Sequence, residues 1–190
     1  MLSQKESRWK KPLMIAFLVM IVLGFSVPLF QLGGNTDQTP QQVQPRLCQN
    51  DAECYLTCDD KPVEVLCQQN LCVQNSCTEF NLFPYLQQPQ EIALSVMVND
   101  VPLSLQNSNP KDLFVRFNDN IVQLHAQRVS LSSILEKAGI ILQNQCLTMQ
   151  GTTYCADTKS TLNITANGEN TYQFGQYVPK EGDEIKIVYS

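Results

Sequence analysis

The sequence contains a single histidine, His125, and no two cysteines separated by two residues. A single histidine excludes any site that needs two, and the lack of a Cys-x-x-Cys spacing argues against the common zinc and dithiol redox motifs. A Gly-x-Ser-x-Gly nucleophile motif is also missing, so no Ser-His-Asp or Cys-His mechanism can be assembled. We therefore expect no catalytic residue, no metal site and no cofactor.

Charged residues are scarce, at 16% of the chain, and they are unevenly distributed. Residues 1–36 carry four basic residues and Glu6, which gives +3, whereas the remainder carries nine basic and seventeen acidic residues, which gives −8. Because an acidic body of this kind repels phosphate backbones, nucleic acid is not an expected partner.

One long uncharged run, Pro12 to Leu32 (PLMIAFLVMIVLGFSVPLFQL), is the most prominent feature of the sequence. A helix rises about 1.5 Å per residue, so these 21 residues suffice to cross a hydrocarbon core roughly 30 Å thick. The positive-inside rule then places residues 1–11 in the cytoplasm as a basic tail, because four basic residues precede the run: Lys5, Arg8, Lys10 and Lys11. The run predicts a transmembrane helix over residues 12–32 in the cell membrane, with the C-terminal part extracytoplasmic.

The rival interpretation is a cleaved signal peptide, which has the same basic start. Its apolar region would usually be about 7 to 15 residues long and end at a small-x-small cleavage site. Val27-Pro28-Leu29-Phe30 offers no such site, and the run is longer, so the anchor is preferred.

All eight cysteines follow the apolar run: Cys48, Cys54, Cys58, Cys67, Cys72, Cys77, Cys146 and Cys155. An even number of cysteines in an extracytoplasmic segment predicts structural disulfides. The first six fall within thirty otherwise polar residues, a unit too small to bury enough apolar area without covalent staples. They define a Cys-rich disulfide module over residues 47–79, preceded by a flexible linker over 33–46.

The six cysteines of the module permit fifteen connectivities, among which the sequence does not choose. The segments CQNDAECYLTC and VLCQQNLC resemble small secreted modules of the EB and WAP types. Adjacent cysteines, which the WAP pattern has, are missing, so the resemblance implies no protease inhibition. Cys146 and Cys155 flank a short polar stretch around Gly151 and are predicted to pair with each other across a clipped loop.

Four carboxylates crowd the module: Asp51, Glu53, Asp59 and Asp60. Carboxylate oxygens are ligands for Ca²⁺, but the spacing matches no EF-hand loop, so a solvated acidic surface is the preferred interpretation. His125 is likewise expected to be a surface histidine, on the polar face of its strand beside Gln123.

Period-2 alternation indicates a β-rich region over residues 91–190. A strand from Ile92 to Val98 is followed by a turn at Asn99-Asp100 and a second strand that ends at Leu105. Another hairpin follows around Asn118-Asp119-Asn120, and alternation places Phe114 on its polar face. Asn167-Gly168 is a strong hairpin signal, and the chain closes on a strand from Ile185 to Tyr189. The strands from Ile92 to Val98 and from Ile185 to Tyr189 are predicted to be exposed edges for a partner.

The period changes to 3.6 near residues 131–138, which predicts one helix with Leu131, Ile134 and Leu135 on its apolar face. Ser130 is its expected N-cap, Gly139 its stop, and Glu136 and Lys137 are expected to be exposed.

LFVRFND, NIVQLHA, SLSSILEKAG and GDEIKIVY together resemble a β-grasp (ubiquitin-like) domain over roughly residues 112–190. The chain is also similar to uncharacterised membrane-anchored archaeal proteins that carry a cysteine cluster before such a domain. The resemblance implies an α+β fold consisting of a transmembrane helix, a disulfide-rich module and a β-grasp-like ββαββ domain with an extra N-terminal hairpin.

Asn163-Ile164-Thr165 is an acceptor for N-glycosylation, and alternation points Asn163 outward. The leading functional hypothesis is a non-enzymatic, single-pass membrane-anchored protein that binds or supports another extracytoplasmic or membrane protein. Two alternatives remain open: an extracytoplasmic thiol-disulfide oxidoreductase or folding factor, and a metal- or glycan-binding surface receptor.

Overall fold

The computed structural model describes residues 44–190 and, before them, Ile15 and Val19, which are helical. The predicted tail 1–11, the rest of the predicted membrane helix 12–32 and the linker as far as residue 43 lie outside the described residues. Within the described part of the chain, no helix has both the length and the apolarity needed to cross a bilayer. The described residues 44–190 belong to one compact unit, to which the following description applies.

The unit is α+β and mostly β. In the described residues it contains one α-helix, fourteen short strands and two 3-10 turns, at Asp51–Cys54 and Phe174–Gln176. The strands and the helix are β1 (Leu56–Cys58), β2 (Lys61–Val63), β3 (Cys67–Gln68), β4 (Leu71–Cys72), β5 (Gln90–Val98), β6 (Val101–Pro102), β7 (Val115–Asn118), β8 (Ile121–Leu124), α1 (Leu131–Lys137), β9 (Ile140–Gln143), β10 (Cys146–Met149), β11 (Thr152–Cys155), β12 (Leu162–Ala166), β13 (Glu169–Asn170) and β14 (Glu184–Tyr189).

A seven-stranded mixed sheet forms the body of the unit. Its order is β13-β12-β14-β5-β8-β7, with the short β6 also paired to β5, and β14 runs parallel to β5 while the other pairs are antiparallel. The prediction that β5 and β14 are exposed edges is wrong, because each has a neighbour on both sides. Their alternating apolar residues, among them Ile92, Val96, Ile185 and Ile187, face the hydrophobic core and are buried there.

Two-residue turns predicted from the sequence join several strands. Asn99 and Asp100 both adopt left-handed backbone angles between β5 and β6, as do Asn167 and Gly168 between β12 and β13. This is the geometry that a type I′ hairpin turn requires. Strand β6 nevertheless ends at Pro102, short of the predicted Leu105, although the backbone N–H of Leu103 still donates to the carbonyl oxygen of Val96.

Two side chains beside the β7–β8 hairpin are buried, contrary to prediction. Phe114 immediately precedes β7, so the alternation used to place it on the polar face does not apply, and it is fully buried in the core. His125 immediately follows β8 and is only 9% exposed, so it is not a surface histidine.

Helix α1 begins and ends where the sequence predicts. The hydroxyl of Ser130 accepts a hydrogen bond from the backbone N–H of Ser133, and Gly139 takes the left-handed conformation that terminates the helix. Leu131, Ile134 and Leu135 are completely buried against the core. The predicted exposure of Lys137 is wrong, for reasons given below.

A second sheet of three antiparallel strands, in the order β11-β10-β9, follows the helix. The sequence predicted a clipped loop between Cys146 and Cys155, but the segment is a β-hairpin in which these two residues face each other directly. Strand β9 was not predicted at all.

The cysteines of this unit form four disulfides, and none is free. Cys146 pairs with Cys155, as predicted. The module, whose connectivity the sequence left open, is closed by three bonds: Cys48–Cys67, Cys54–Cys72 and Cys58–Cys77. Arg46, at the end of the predicted linker, is already bonded to the module through its guanidinium group and its backbone.

Candidate functional site

A buried ion cluster joins the cysteine module to helix α1. The Nζ atom of Lys137 lies 2.8 Å from Oδ1 of Asp51 and 2.9 Å from Oδ1 of Asp112, and all three side chains are almost completely buried. Lys137 is therefore not exposed as predicted: two carboxylates contributed by distant segments satisfy its charge inside the protein.

Asp51 is the organising residue of this cluster. Its carboxylate also accepts hydrogen bonds from the backbone N–H groups of Cys67, Leu113 and Phe114, at 2.8, 2.7 and 3.1 Å. Asp51 is 1% exposed, so the predicted solvated acidic surface does not include it. Through this one side chain, the cysteine module satisfies backbone donors of the β-rich part.

The other three carboxylates of the predicted acidic group, Glu53, Asp59 and Asp60, are exposed. Since Asp51 points inward, the four do not face one site. In residues 44–190, the closest group of potential ligands is formed by the sulfurs of Cys48, Cys54 and Cys72, which lie within 4.8 Å of one another. These sulfurs belong to two packed disulfides, so they are not thiolates available to a metal.

Burial raises the pKa of Asp112 above its ordinary value, because a buried carboxylate loses its hydration. The hydrogen bond and the charge of Lys137 act in the opposite direction but do not outweigh burial. The cluster contains two carboxylates and one ammonium group, so it carries a net negative charge when fully ionised.

Two further hydrogen bonds attach the module to helix α1. The side-chain amide of Gln68 donates to the hydroxyl of Ser133 at 2.6 Å, and the backbone N–H of Gln69 donates to Glu136 at 3.0 Å. The module thereby forms one wall of a groove along the exposed side of the helix.

We call this depression the amide groove. Its larger part is a cavity of about 410 Å³ between β9, the β9–β10 turn and the second 3-10 turn, and a smaller cavity of about 190 Å³ extends it towards Gln69 and Glu136. Ser132, Leu142 and Gln143 line both parts. Five side-chain amides and one aromatic ring surround the larger part: Gln143, Asn144, Gln145, Gln173, Gln176 and Phe174.

The base of the groove is the free edge of β9. The register of the β9–β10–β11 sheet directs the backbone groups of Ile141 and Gln143 towards β10, so those of Leu142 point away from the sheet. Gly175 packs closely here: a Cβ at this position would lie 3.0 Å from the Cβ of Ser132 and 3.4 Å from the Leu142 carbonyl oxygen. The absence of a side chain therefore allows the 3-10 turn to close one end of the groove.

Phe174 adopts a left-handed backbone conformation with φ of 46°. This conformation is unfavourable for a bulky side chain and must be held by the surrounding structure. It places a half-buried ring in the wall of the amide groove. Tyr172, two residues earlier, is 88% exposed.

The amides of the groove have unused hydrogen-bonding capacity. Among the described residues, no side-chain hydrogen bond is made by Gln143, Asn144, Gln145, Gln173 or Gln176, and all five are exposed. Each amide offers two N–H donors and a carbonyl acceptor. The only charged side chain in the lining is Glu136, so the groove is polar and lacks a cation.

The Cys146–Cys155 disulfide adjoins the groove, because Cys146 directly follows Gln145. Cys155 is exposed and Cys146 half-buried, whereas Cys48, Cys54, Cys67 and Cys72 are buried. This disulfide and Cys58–Cys77, which also joins a half-buried cysteine to an exposed one, are accordingly more accessible than the two that form the centre of the module.

The remaining residues singled out by the sequence lie elsewhere in the fold. The ring of His125 stacks on Tyr85, with centroids 5.0 Å apart, and its Nδ1 lies 2.9 Å from the carbonyl oxygen of Leu86. Asn163 is exposed on β12, so its side chain is accessible for the predicted modification.

Comparisons with protein-family models, curated proteins and solved structures gave no match to this chain. Function is therefore inferred from the site itself. The amide groove was not predicted, and its only sequence signal is the run of three amide residues Gln143-Asn144-Gln145.

Proposed function

We propose that this chain is a non-enzymatic, single-pass membrane protein whose extracytoplasmic part binds another component. The observation that carries the proposal is the pairing of all eight cysteines in one compact unit that follows a 21-residue uncharged apolar run. Disulfides persist in oxidising compartments, and an apolar run of this length is typical of a membrane anchor.

The β-grasp resemblance belongs to the same proposal, with one change in its strands. A mixed sheet with a parallel pair at its centre and a helix between the early and late strands is the arrangement that the resemblance implies. Here β5 takes the place of the first strand, because β14 runs parallel to β5 rather than to a strand of the β7–β8 hairpin. A fold of this kind does not specify an activity.

The accessible Cys146–Cys155 disulfide supports a second candidate, a thiol-disulfide oxidoreductase or folding factor. In that case, this bond should be reduced first under mild reductant, and its loss should remove the activity towards a scrambled disulfide substrate. A structural role instead leaves all eight cysteines oxidised under the same conditions. Titration of free thiols followed by peptide mapping distinguishes the two candidates.

Asn163 provides a direct test of the membrane topology. We expect the full chain, synthesised with glycosylating microsomes, to remain in the membrane after carbonate extraction and to gain one glycan. The Asn163→Gln variant should integrate in the same way without the mass shift. Retention without glycosylation, together with protease sensitivity from the cytosolic side, contradicts the proposed orientation. Release from the membrane contradicts the anchor.

A further inference from the structure

We propose that the amide groove binds a neutral glycan. This inference rests on the proposed extracytoplasmic binding function and names the chemical class of its ligand. It begins from the five side-chain amides around the larger cavity, none of which has a side-chain hydrogen-bond partner among the described residues.

The chemistry of the amides matches that of sugar hydroxyls. A hydroxyl donates one hydrogen bond and accepts others, and a primary amide offers donors and an acceptor on one planar group. Gln143 lines the cavity from the end of β9 and Gln145 from the β9–β10 turn, whereas Gln173 and Gln176 line it from the 3-10 segment. Adjacent hydroxyls of a pyranose can therefore be engaged from two sides, with the hydroxyl of Ser132 as a further partner.

The ring of Phe174 supplies the apolar surface that a pyranose needs for its C–H face. This ring is half-buried in the groove wall, and it is held there by a backbone conformation that phenylalanine rarely adopts. A volume of about 410 Å³ falls within the usual range for small-molecule sites.

The charge of the lining selects against acidic ligands. No lysine, arginine or histidine lines either cavity, and the carboxylate of Glu136 is fixed there by the backbone N–H of Gln69. A phosphate, sulfate or uronate would meet no cation and one negative charge. The preferred ligand is therefore uncharged.

An extended peptide is the competing occupant, because β9 is a sheet edge and such edges accept an added strand. The second 3-10 turn blocks this mode. Gly175 already packs against Ser132 and the outward-pointing carbonyl of Leu142, where a new strand would have to form its ladder. What remains open is a short cavity surrounded by side chains rather than a continuous edge.

The test is saturation-transfer NMR on the full chain, purified in a detergent that carries no sugar. The probes are maltose, cellobiose and N,N′-diacetylchitobiose, with glucose 6-phosphate and the peptide Thr-Val-Thr-Val-Thr-Val as comparisons. We expect at least one of the three neutral disaccharides to bind. Combining Gln143→Leu with Gln176→Leu should weaken that binding about tenfold, since two hydrogen bonds are lost.

Gln87→Leu is the matched control, because Gln87 is an exposed amide outside the groove and its replacement should leave binding unchanged. Melting temperatures establish that the variants remain folded. Binding of none of the disaccharides, binding of only the phosphate or the peptide, or equal binding to the groove variant and the wild type overturns the proposal. Because the assay uses purified chain, its failure leaves the membrane topology intact, and a cytosolic topology would leave the binding result intact.

Discussion

Lys137 is held between two carboxylates that come from separate segments of the unit. Asp51 is 86 residues away along the chain and Asp112 is 25 residues away, yet both lie within hydrogen-bonding distance of its Nζ atom. Removing such charges from water is costly, and the mutual attraction offsets this cost only while every partner is present. The cluster is therefore more sensitive to losing one member than an exposed ion pair would be.

Replacing Lys137 with methionine tests this sensitivity. We expect Lys137→Met to lower the free energy of unfolding by about 4 kcal/mol, because it leaves two buried carboxylates without a counter-charge. Lys186→Met is the control: Lys186 pairs with Glu184 at 2.7 Å, but both side chains are more than half exposed. Its effect should stay within about 1 kcal/mol. Equal losses in urea denaturation contradict the argument.

Asp112 should respond to pH in the direction its burial dictates. Its pKa in the folded protein is raised, so the folded state binds a proton more tightly than the unfolded state does. Its contribution to stability is complete below the ordinary pKa of 3.8 and decreases as the pH rises through the raised value. Compared with Asp112→Asn, the wild type should therefore gain stability on acidification, as measured by urea denaturation between about pH 3 and pH 7.

Asp183 should behave in the opposite way. The pKa of Asp183 is lowered. Burial is the largest single influence and acts to raise it, but the hydrogen bonds from the backbone of Lys180 and the side chains of Tyr177 and Asn167 together outweigh burial. Burial, together with the hydrogen bond to Asp183 and the charge of that carboxylate, raises the pKa of Tyr177 to about 12.

The lowered pKa of Asp183 makes it a stabilising carboxylate at neutral pH. We expect Asp183→Asn to lower the free energy of unfolding by about 2 kcal/mol there, because hydrogen bonds to a charged group are lost. Stability from this group is present above 3.8 and is lost as the pH falls through the lowered value, so the difference should shrink in acid. A difference that grows on acidification contradicts this assignment.

Among the elements, those with strong local signals were predictable. The cap of α1 depends on Ser130 and Gly139, and the β12–β13 turn depends on Asn167-Gly168; each acts through its own backbone conformation. Strand β9 was missed because Ile141 is apolar but half-exposed, which breaks the alternation expected of a strand with one buried face.

Features assembled from distant segments could not be predicted in this way. The burial of Lys137 depends on Asp51, and helical periodicity alone places a lysine beside Glu136 on the exposed face. The amide groove likewise combines the module, α1, β9 and the second 3-10 turn, so no single window of sequence contains it. The β5–β14 pairing also joins the first and last strands of the sheet, which made two central strands look like edges.

The β10–β11 hairpin provides a test at the scale of one element. Cys146 and Cys155 are direct cross-strand partners, and their bond closes a loop with a sequence separation of nine. We expect the double variant Cys146→Ala/Cys155→Ala to lose about 3 kcal/mol of unfolding free energy, because the unfolded chain becomes less constrained. Since Gln145 adjoins Cys146, amide exchange in the β9–β10 turn should also become faster. An unchanged exchange rate there contradicts a structural role of the bond in the groove.

At the scale of the whole compact unit, the cysteine module is not an independently folded domain. Its Asp51 accepts hydrogen bonds from backbone N–H groups next to β7, and its Gln68 donates a hydrogen bond to helix α1. Its Leu66 belongs to the main hydrophobic core. A module too small to bury its own core thereby shares that of the β-rich part. We infer that the two unfold together rather than in sequence.

Two disulfides of the module allow this inference to be tested with the loop length held constant. Cys48–Cys67 and Cys58–Cys77 both have a sequence separation of 19, so removing either relaxes the unfolded chain to the same extent on the chain-entropy account. Only the first lies beside Asp51, whose carboxylate bonds the backbone N–H of Cys67.

The alanine double variant at Cys48 and Cys67 should therefore accelerate hydrogen exchange in α1 as well as in the module, because it loosens the anchor of Lys137. The double variant at Cys58, which is half-buried, and Cys77, which is exposed, should accelerate exchange in the module alone. If both variants leave the exchange of α1 unchanged while the module opens, the module is a separate folding unit and Asp51 does not couple it to the helix. Mass spectrometry of peptides covering residues 131–137 decides between these outcomes.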